Sequence, residues 1–487
     1  MSRYFSFKSL AVLAAVTFAA MYVFTAIPRI LYPYDLDFIE DSMLMQSLRF
    51  AQGLPVFAAP SAEFVAHVYM PLYTWLGGWL LKLTGPGFVP LRLLSLSATL
   101  TTAAIIFYIA RRESGFTWLG LASAGLYLGG YRLSGFWYEL VRVDSLYVTL
   151  AITGAMLGVY SKSTKGILAS AATLALAFFT KQTGLAFAVG VAAYLFLALG
   201  KRAALFVGAF VVIAVTPLIT INLQTGGWFF HYVFSGASSN TVEIGRAFRY
   251  IAVELFGVMA GLSLMALIAA LMIFRRIGSR AVREQPWLMM ILVAVIVSGV
   301  GRSSVGGNLN NLMPAYAFLC LAPAISSREW REHLLPEWHT PVLATAIILQ
   351  LALGVYNPLR YIPTAEMRQS GDRLIEKVRA IDGEVLVLMH PYYALLAGKE
   401  PAVQVALIWY EKQWQDVPFP KDFVERIQSQ YYAAIISDET LFETDPDVQR
   451  LITTYYSPTG TLAASESPPA VTGMFARPTV IYTPKRP

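Results

Sequence analysis

Apolar runs of about 17 or more residues, the length that crosses a bilayer core, recur from residue 9 to residue 356 and decide what this chain can fold into. Hydrophobic residues make up 56% of the 487 and charged residues only 14%. A soluble domain carries about 25% charged residues, so too few are present here to solvate a globular surface. The net charge of +7 could suggest nucleic acid. Its basic residues, however, punctuate the apolar runs instead of forming a stripe, as the positive-inside rule expects. Nucleic acid is discarded as a partner, and membrane lipids take its place. Cys320 is the lone cysteine, so no intrachain disulfide forms. His67, His231, His333, His339 and His390 show no ligand spacing, which disfavours a histidine metal site.

Arg3 and Lys8 precede an apolar stretch from Ser9 to Ile27. The stretch is too long for a typical signal-peptide core and ends without a small-x-small site, so it reads as an uncleaved span with a cytoplasmic N-terminus. Further runs lie at about 68–83, 90–110, 116–133, 145–160, 166–200, 203–221, 250–274, 287–301, 312–325 and 340–356. The run 166–200 would be about 50 Å long as one helix. It must fold back, and Lys181-Gln182-Thr183-Gly184 is its only polar break. If 68–83 crossed fully, Arg111-Arg112, Lys162 and Lys165, Lys201-Arg202 and Arg275-Arg276 would all face outward. Laid along the interface, where Pro71, Gly77, Gly78 and its aromatics suit it, all four groups move inside.

The expectation is a mainly α, polytopic membrane protein of about eleven spans. Residues 1–356 form the transmembrane part, and 28–89 its first outer loop. After about Asn357 charges rise and the pattern changes. Strand-like runs at Val385–Met389, Ala433–Ser437 and Val480–Tyr482 alternate with helical patterns at Ala365–Ile381 and Lys421–Gln430. Residues 357–487 therefore read as a small α/β domain outside the membrane.

This topology collects the informative polar residues on the outer face. Asp35, Asp37, Glu40 and Asp41 crowd the first outer loop. On a helix Asp37 would share a face with Glu40 and Asp41, where like charges repel. Such a cluster suits a base with a raised pKa, or a solvated acidic loop that marks the outer side. Glu139, Arg142 and Asp144 lie between two apolar runs, either capping a helix as an ion pair or holding an anion. Lys181 in its short turn either snorkels or meets a lipid phosphate at the membrane surface. Arg302, Asn308 and Asn311 sit in a glycine-rich connection that binds sugar hydroxyls or merely turns. Together these place a carboxylate to accept a hydroxyl proton beside cations that stabilise a leaving phosphate.

At this point the chain resembles the GT-C superfamily of polyprenyl-phosphate-sugar glycosyltransferases, in the style of the protein O-mannosyltransferase and aminoarabinose-transferase branch. The features run from Ile27 to about Pro323. They are Asp37-x-x-Glu40-Asp41 followed by Gly53-Leu54-Pro55-Val56-Phe57; Tyr69-Met70-Pro71-Leu72-Tyr73; Arg92-Leu93-Leu94-Ser95; Arg142-x-Asp144-Ser145; Lys181-Gln182-Thr183-Gly184; and Asn311-Leu312-Met313-Pro314. Met70 replaces a proline common in that family, and Glu40-Asp41 is not its usual acidic pair. The resemblance implies an inverting transfer from a polyprenyl-phosphate sugar to a lipid, glycan or protein acceptor, on the outer face of a bacterial inner membrane. It implies Glu40 or Asp41 as base, within a catalytic cluster that includes Asp37. Arg142, Lys181 and Arg302 would hold the donor phosphate. Asp144, Glu139, Asn308, Asn311 and Tyr69 would line the substrate. No cofactor is indicated, although the carboxylates could hold a divalent ion. Two rivals are a flippase for lipid-linked saccharides, which would show internal repeats and broken helices at mid-membrane depth, and a non-catalytic scaffold.

Overall fold

A computed structural model describes residues 6–235, 241–331, 335–438 and 446–485. Helix α1 (Phe7–Ile30) is capped by Ser6, whose side chain accepts from Ser9 N–H. It is followed by α2 (Phe38–Ala51), α3 (Leu72–Thr84), α4 (Phe88–Ser114), α5 (Thr117–Gly129), α6 (Asp144–Tyr160), α7 (Thr164–Thr180), α8 (Gly184–Leu199) and α9 (Ala204–Gln224). The main later helices before the C-terminal part are Ala260–Ile277, Pro286–Ser303, Ala322–Trp330 and Pro336–Leu353. Among the described residues seven helical stretches are long and apolar enough to cross a membrane, so this is an integral membrane protein. One of them, Gly184–Gln224, runs for 41 residues and breaks at Gly200 into α8 and α9. Helices α6 and α7 are apolar but only 17 residues each. The figure of about eleven spans therefore stands on the sequence alone.

Small residues let the bundle close. A Cβ at Gly125 of α5 would come within 2.4 Å of Ala15 Cβ on α1, so those two helices touch backbone to backbone, as small-residue helix pairs do in lipid. At the α7–α8 hairpin a Cβ on Gly184 would lie 2.5 Å from Phe178 N. No other residue fits that turn, and the turn holds Lys181 at its crest. Helix α3 is not among the crossing stretches. Its 13 residues span about 20 Å and pack on α2 and α4, with Gly77 and Gly78 against Ser47 and Phe50.

The C-terminal part carries a four-stranded sheet in the order β1-β2-β4-β3. Strands β1 (Val385–Val387) and β2 (Ala434–Asp438) run parallel, and β4 (Pro478–Pro484) is antiparallel to both β2 and β3 (Tyr456–Thr461). Helices Ala365–Ala380 and Lys421–Gln428 flank it. Strand β3 was not anticipated. It contains Pro458 and Gly460, both poor strand formers, and survives as an edge strand paired on one side only.

Two fully buried arginines organise the end of the bundle that carries the first loop. Arg92, near the start of α4, donates from Nε and Nη2 to Glu40 at 2.9 and 2.7 Å, and to the carbonyls of Arg29, Tyr32 and Tyr34. Arg29, in the last turn of α1, pairs with Glu139 and donates to Tyr361 O, Phe136 O and Thr472 Oγ1. The C-terminal part is stitched to the first loop beside them. His390 bridges Asp35 (Nδ1, 2.9 Å) and Asp438 (Nε2, 3.1 Å), and Gln404 donates to Phe38 O.

Removing one partner of a buried pair strands the other. Arg92→Leu should therefore cost about 3–5 kcal/mol of stability, read as a depressed melting point of the detergent-solubilised protein; an unchanged melting point would refute this weight. At His390 burial favours loss of the proton, but Asp35 and Asp438 outweigh it and raise the imidazole pKa well above its usual range. Its contribution is complete below about pH 6.5 and is lost as pH rises through the raised value. The melting point should fall toward alkaline pH, and His390→Gln should flatten that slope.

Candidate active site

Below the first loop, a cavity of about 350 Å³ opens between the ends of α6, α7 and Pro286–Ser303 and the C-terminal helix Val405–Gln415. Asp37, Tyr69, Arg142, Lys181, Asn308 and Asn311 line it, joined by His67, Trp137, Gln182, Asn310, Tyr410 and Glu411.

Asp37 is the N-cap of α2. Its Oδ1 accepts from Ile39 N–H at 3.1 Å, which satisfies a helix-terminal donor. The same oxygen accepts from Arg142 Nη1 at 3.1 Å, while Oδ2 is buried without a hydrogen-bond partner. Burial raises the Asp37 pKa to about 6, with Arg142 opposing and Glu40 adding to the rise. Arg142 also donates to Tyr69 Oη at 3.2 Å and lies 4.4 Å over the Trp137 ring.

Asp144, at the first turn of α6, joins the cations. Lys181 Nζ lies 2.8 Å from its Oδ1 and Arg142 Nε 3.5 Å from its Oδ2; Asn310 donates to both oxygens at 3.1 Å. Lys181 also donates to Asn311 Oδ1 at 3.1 Å. An ammonium has three donors, so one of Lys181's remains for the cavity. His67, across from Tyr69, has its pKa lowered to about 3 by burial and by Arg142. It is a neutral ring that bonds Ser42 Oγ at 2.8 Å. At the opposite rim Glu411 accepts from Gln415 and pairs with His231 at 2.7 Å.

Four of the expected residues lie elsewhere. The Glu40 oxygens together accept from Arg92 Nε and Nη2 and from Leu36 and Val141 N–H, all behind the cavity wall. Asp41 accepts from Tyr392 N–H with both oxygens at the seam with the C-terminal part. Glu139 serves Arg29. Arg302 pairs with Glu254 at 2.8 Å and donates to Gly307 O. Sequence reasoning missed His67, Trp137, Tyr410 and Glu411. Two of these come from the C-terminal part, and no local pattern marks any of them. Among the described residues no group of three or more His, Cys, Asp or Glu side chains converges as metal ligands do.

No family model and no curated protein sequence matches the chain. Solved structures do. ArnT from Cupriavidus metallidurans, solved bound to undecaprenyl phosphate, superposes with a TM-score of 0.60 at 13% identity, covering 96% of this chain and 97% of that one. Its apo form gives 0.61 over the same shares. The chain has the ArnT fold. An oligosaccharyltransferase from Archaeoglobus fulgidus, in complex with zinc and sulfate, gives 0.50 at 12% identity over 96% of this chain and 73% of that one. The match to ArnT extends over the C-terminal part as well as the bundle, so the likeness is to the whole architecture. It is also the fold that the acidic first-loop motif and its companions implied.

A base must be deprotonated to act, and kcat/KM reports the free enzyme. If Asp37 is that base, kcat/KM should rise with pH through about 6. Its acid limb is measured with any competent donor, and a flat profile between pH 5 and about 7.5 would dissociate Asp37 from turnover.

Proposed function

We propose that this protein is an inverting glycosyltransferase that moves a sugar from a polyprenyl-phosphate donor to a hydroxyl acceptor at the outer face of a bacterial inner membrane. The observation that carries the reading is one cavity holding a buried carboxylate with raised proton affinity, Asp37, together with two cations, Arg142 and Lys181, fixed by a shared anion. ArnT, the same fold, was solved with undecaprenyl phosphate, which supports a lipid phosphate as the donor's leaving group. The topology read from basic residues puts this cavity and residues 357–487 on the extracytoplasmic side, with the N-terminus in the cytoplasm.

In the reaction the acceptor hydroxyl attacks the anomeric carbon. The bond from that carbon to the phosphate oxygen breaks, the oxygen leaves with the electron pair, and Asp37 takes the hydroxyl proton. Charge grows on the lipid phosphate as the bond breaks, and preorganised cations in a dry site stabilise it. Lys181 offers its remaining donor there, and Arg142 holds both the phosphate side and Asp37. Asp144 keeps the two cations apart and oriented. Asn308, Asn311, Tyr69 and Glu411 supply groups for sugar hydroxyls. Glu40, by contrast, is the anchor that sets the loop from which Asp37 projects. A flippase would need polar groups at mid-membrane depth, whereas those of this cavity stand at helix ends and loops.

Purified protein offered a panel of radiolabelled undecaprenyl-phosphate sugars should release undecaprenyl phosphate with at least one. Asp37→Asn should lower turnover by 10²-fold or more while donor binding persists, and Lys181→Met should weaken donor binding. If no donor reacts, yet lipid-linked sugar crosses reconstituted vesicles, the enzyme reading falls and the flippase replaces it.

A further inference from the structure

The unpartnered Oδ2 of Asp37 faces the distant end of the chain. A Cβ built on Gly473 would lie 1.9 Å from that oxygen, 3.1 Å from Asp37 Cγ and 3.5 Å from Trp137 Cζ2. Gly473 has φ +75°, so a side chain there would be strained as well as obstructed. Three hydrogen bonds pin the preceding residues to the first loop and α1. Val471 and Thr472 N–H donate to Leu36 O at 3.1 and 2.9 Å, and Thr472 Oγ1 accepts from the buried Arg29 at 2.8 Å. This segment leads into β4 and touches the loop residue that immediately precedes Asp37.

We propose that the Val471–Gly473 segment of the C-terminal part is the positioning element for Asp37: it closes over one carboxylate oxygen and fixes the side chain in the cavity wall. The inference rests on Asp37 being the base. With Oδ1 held by Ile39 N–H and Arg142, and Oδ2 backed by Gly473, the carboxylate has one placement. Backing by a CH₂ group takes water off one side of Oδ2, and with no donor bound its lone pairs stay open to a proton. A carboxylate so desolvated is more basic than one in water, which is what proton abstraction needs. Lys181 binds Asp144 and Asn311, not Asp37 or this segment, so disturbing the segment leaves its donor contact in place.

The test is Gly473→Ala in the full-length protein, with Gly460→Ala on β3 as control, since a Cβ there meets nothing closer than 4.0 Å. Gly473→Ala should lower kcat per folded molecule about 10²-fold, the scale of a misplaced catalytic group. KM for the undecaprenyl-phosphate sugar should stay within about twofold, and the acid limb of the pH profile should shift downward as water reaches Oδ2. Thr472→Val, which cuts one tether without adding bulk, should show the same pattern more weakly. Loss of folded protein with unchanged kcat and an unmoved acid limb in the remainder would overturn the proposal. Should Gly473→Ala not assemble, Thr472→Val carries the test: a lowered kcat with unchanged KM supports the proposal, and an unchanged kcat with an unmoved acid limb overturns it. The underlying base assignment fails separately, through full turnover of Asp37→Asn.

Discussion

The first loop of this protein and the helix ends around it depend on one buried guanidinium. Arg92 projects from near the start of α4 into the gap between α1 and α2 and has five N–H donors to place. It places them on Glu40, on the Arg29 carbonyl in the last turn of α1 and on two carbonyls of the α1–α2 connection. A charge this deep is tolerated only when paired and fully hydrogen-bonded, and Glu40 provides the pairing. Its other bonds, to Leu36 and Val141 N–H, then tie the first loop to the segment that carries Arg142. The path of the chain at Asp37, and its distance from Arg142, both follow from this knot.

A second knot lies in the cavity. Two cations and two carboxylates meet there with little exposure, and each anion has its own task. Asp144 faces both cations and Asn310, so it is well compensated. Asp37 shares a single guanidinium and has an oxygen with no partner, so it retains affinity for a proton. Two neighbouring carboxylates thus differ in proton affinity through their surroundings, which is how environments separate acid–base groups generally.

Much of this was legible in the sequence. The spans follow from apolar length, and the α7–α8 hairpin from a single polar break in a run too long to be one crossing. Strands β1, β2 and β4 showed as short β-branched runs, whereas β3, with its proline and glycine, gave no such signal. Arg142, Lys181, Asn308, Asn311 and Tyr69 were singled out and do meet at one cavity. Glu40 or Asp41 is the base that the sequence motif implies, yet neither lines the cavity: Glu40 is taken up by an arginine 52 residues away and Asp41 by a backbone amide 351 residues away, pairings that no one-dimensional reading shows. Glu411 and Gly473 lie outside every motif, and only the folded chain brings the first to the cavity and the second to Asp37.

The bond between Arg29 and Thr472 joins residues 443 apart. That separation has a consequence for biosynthesis. Translation from the N-terminus makes the arginine long before the hydroxyl that it binds. Through that interval Arg29 lacks the Thr472 hydroxyl, and Leu36 O lacks the Val471 and Thr472 amides. Co-translational assembly therefore leaves this corner of the first loop open until Val471 and Thr472 have been made.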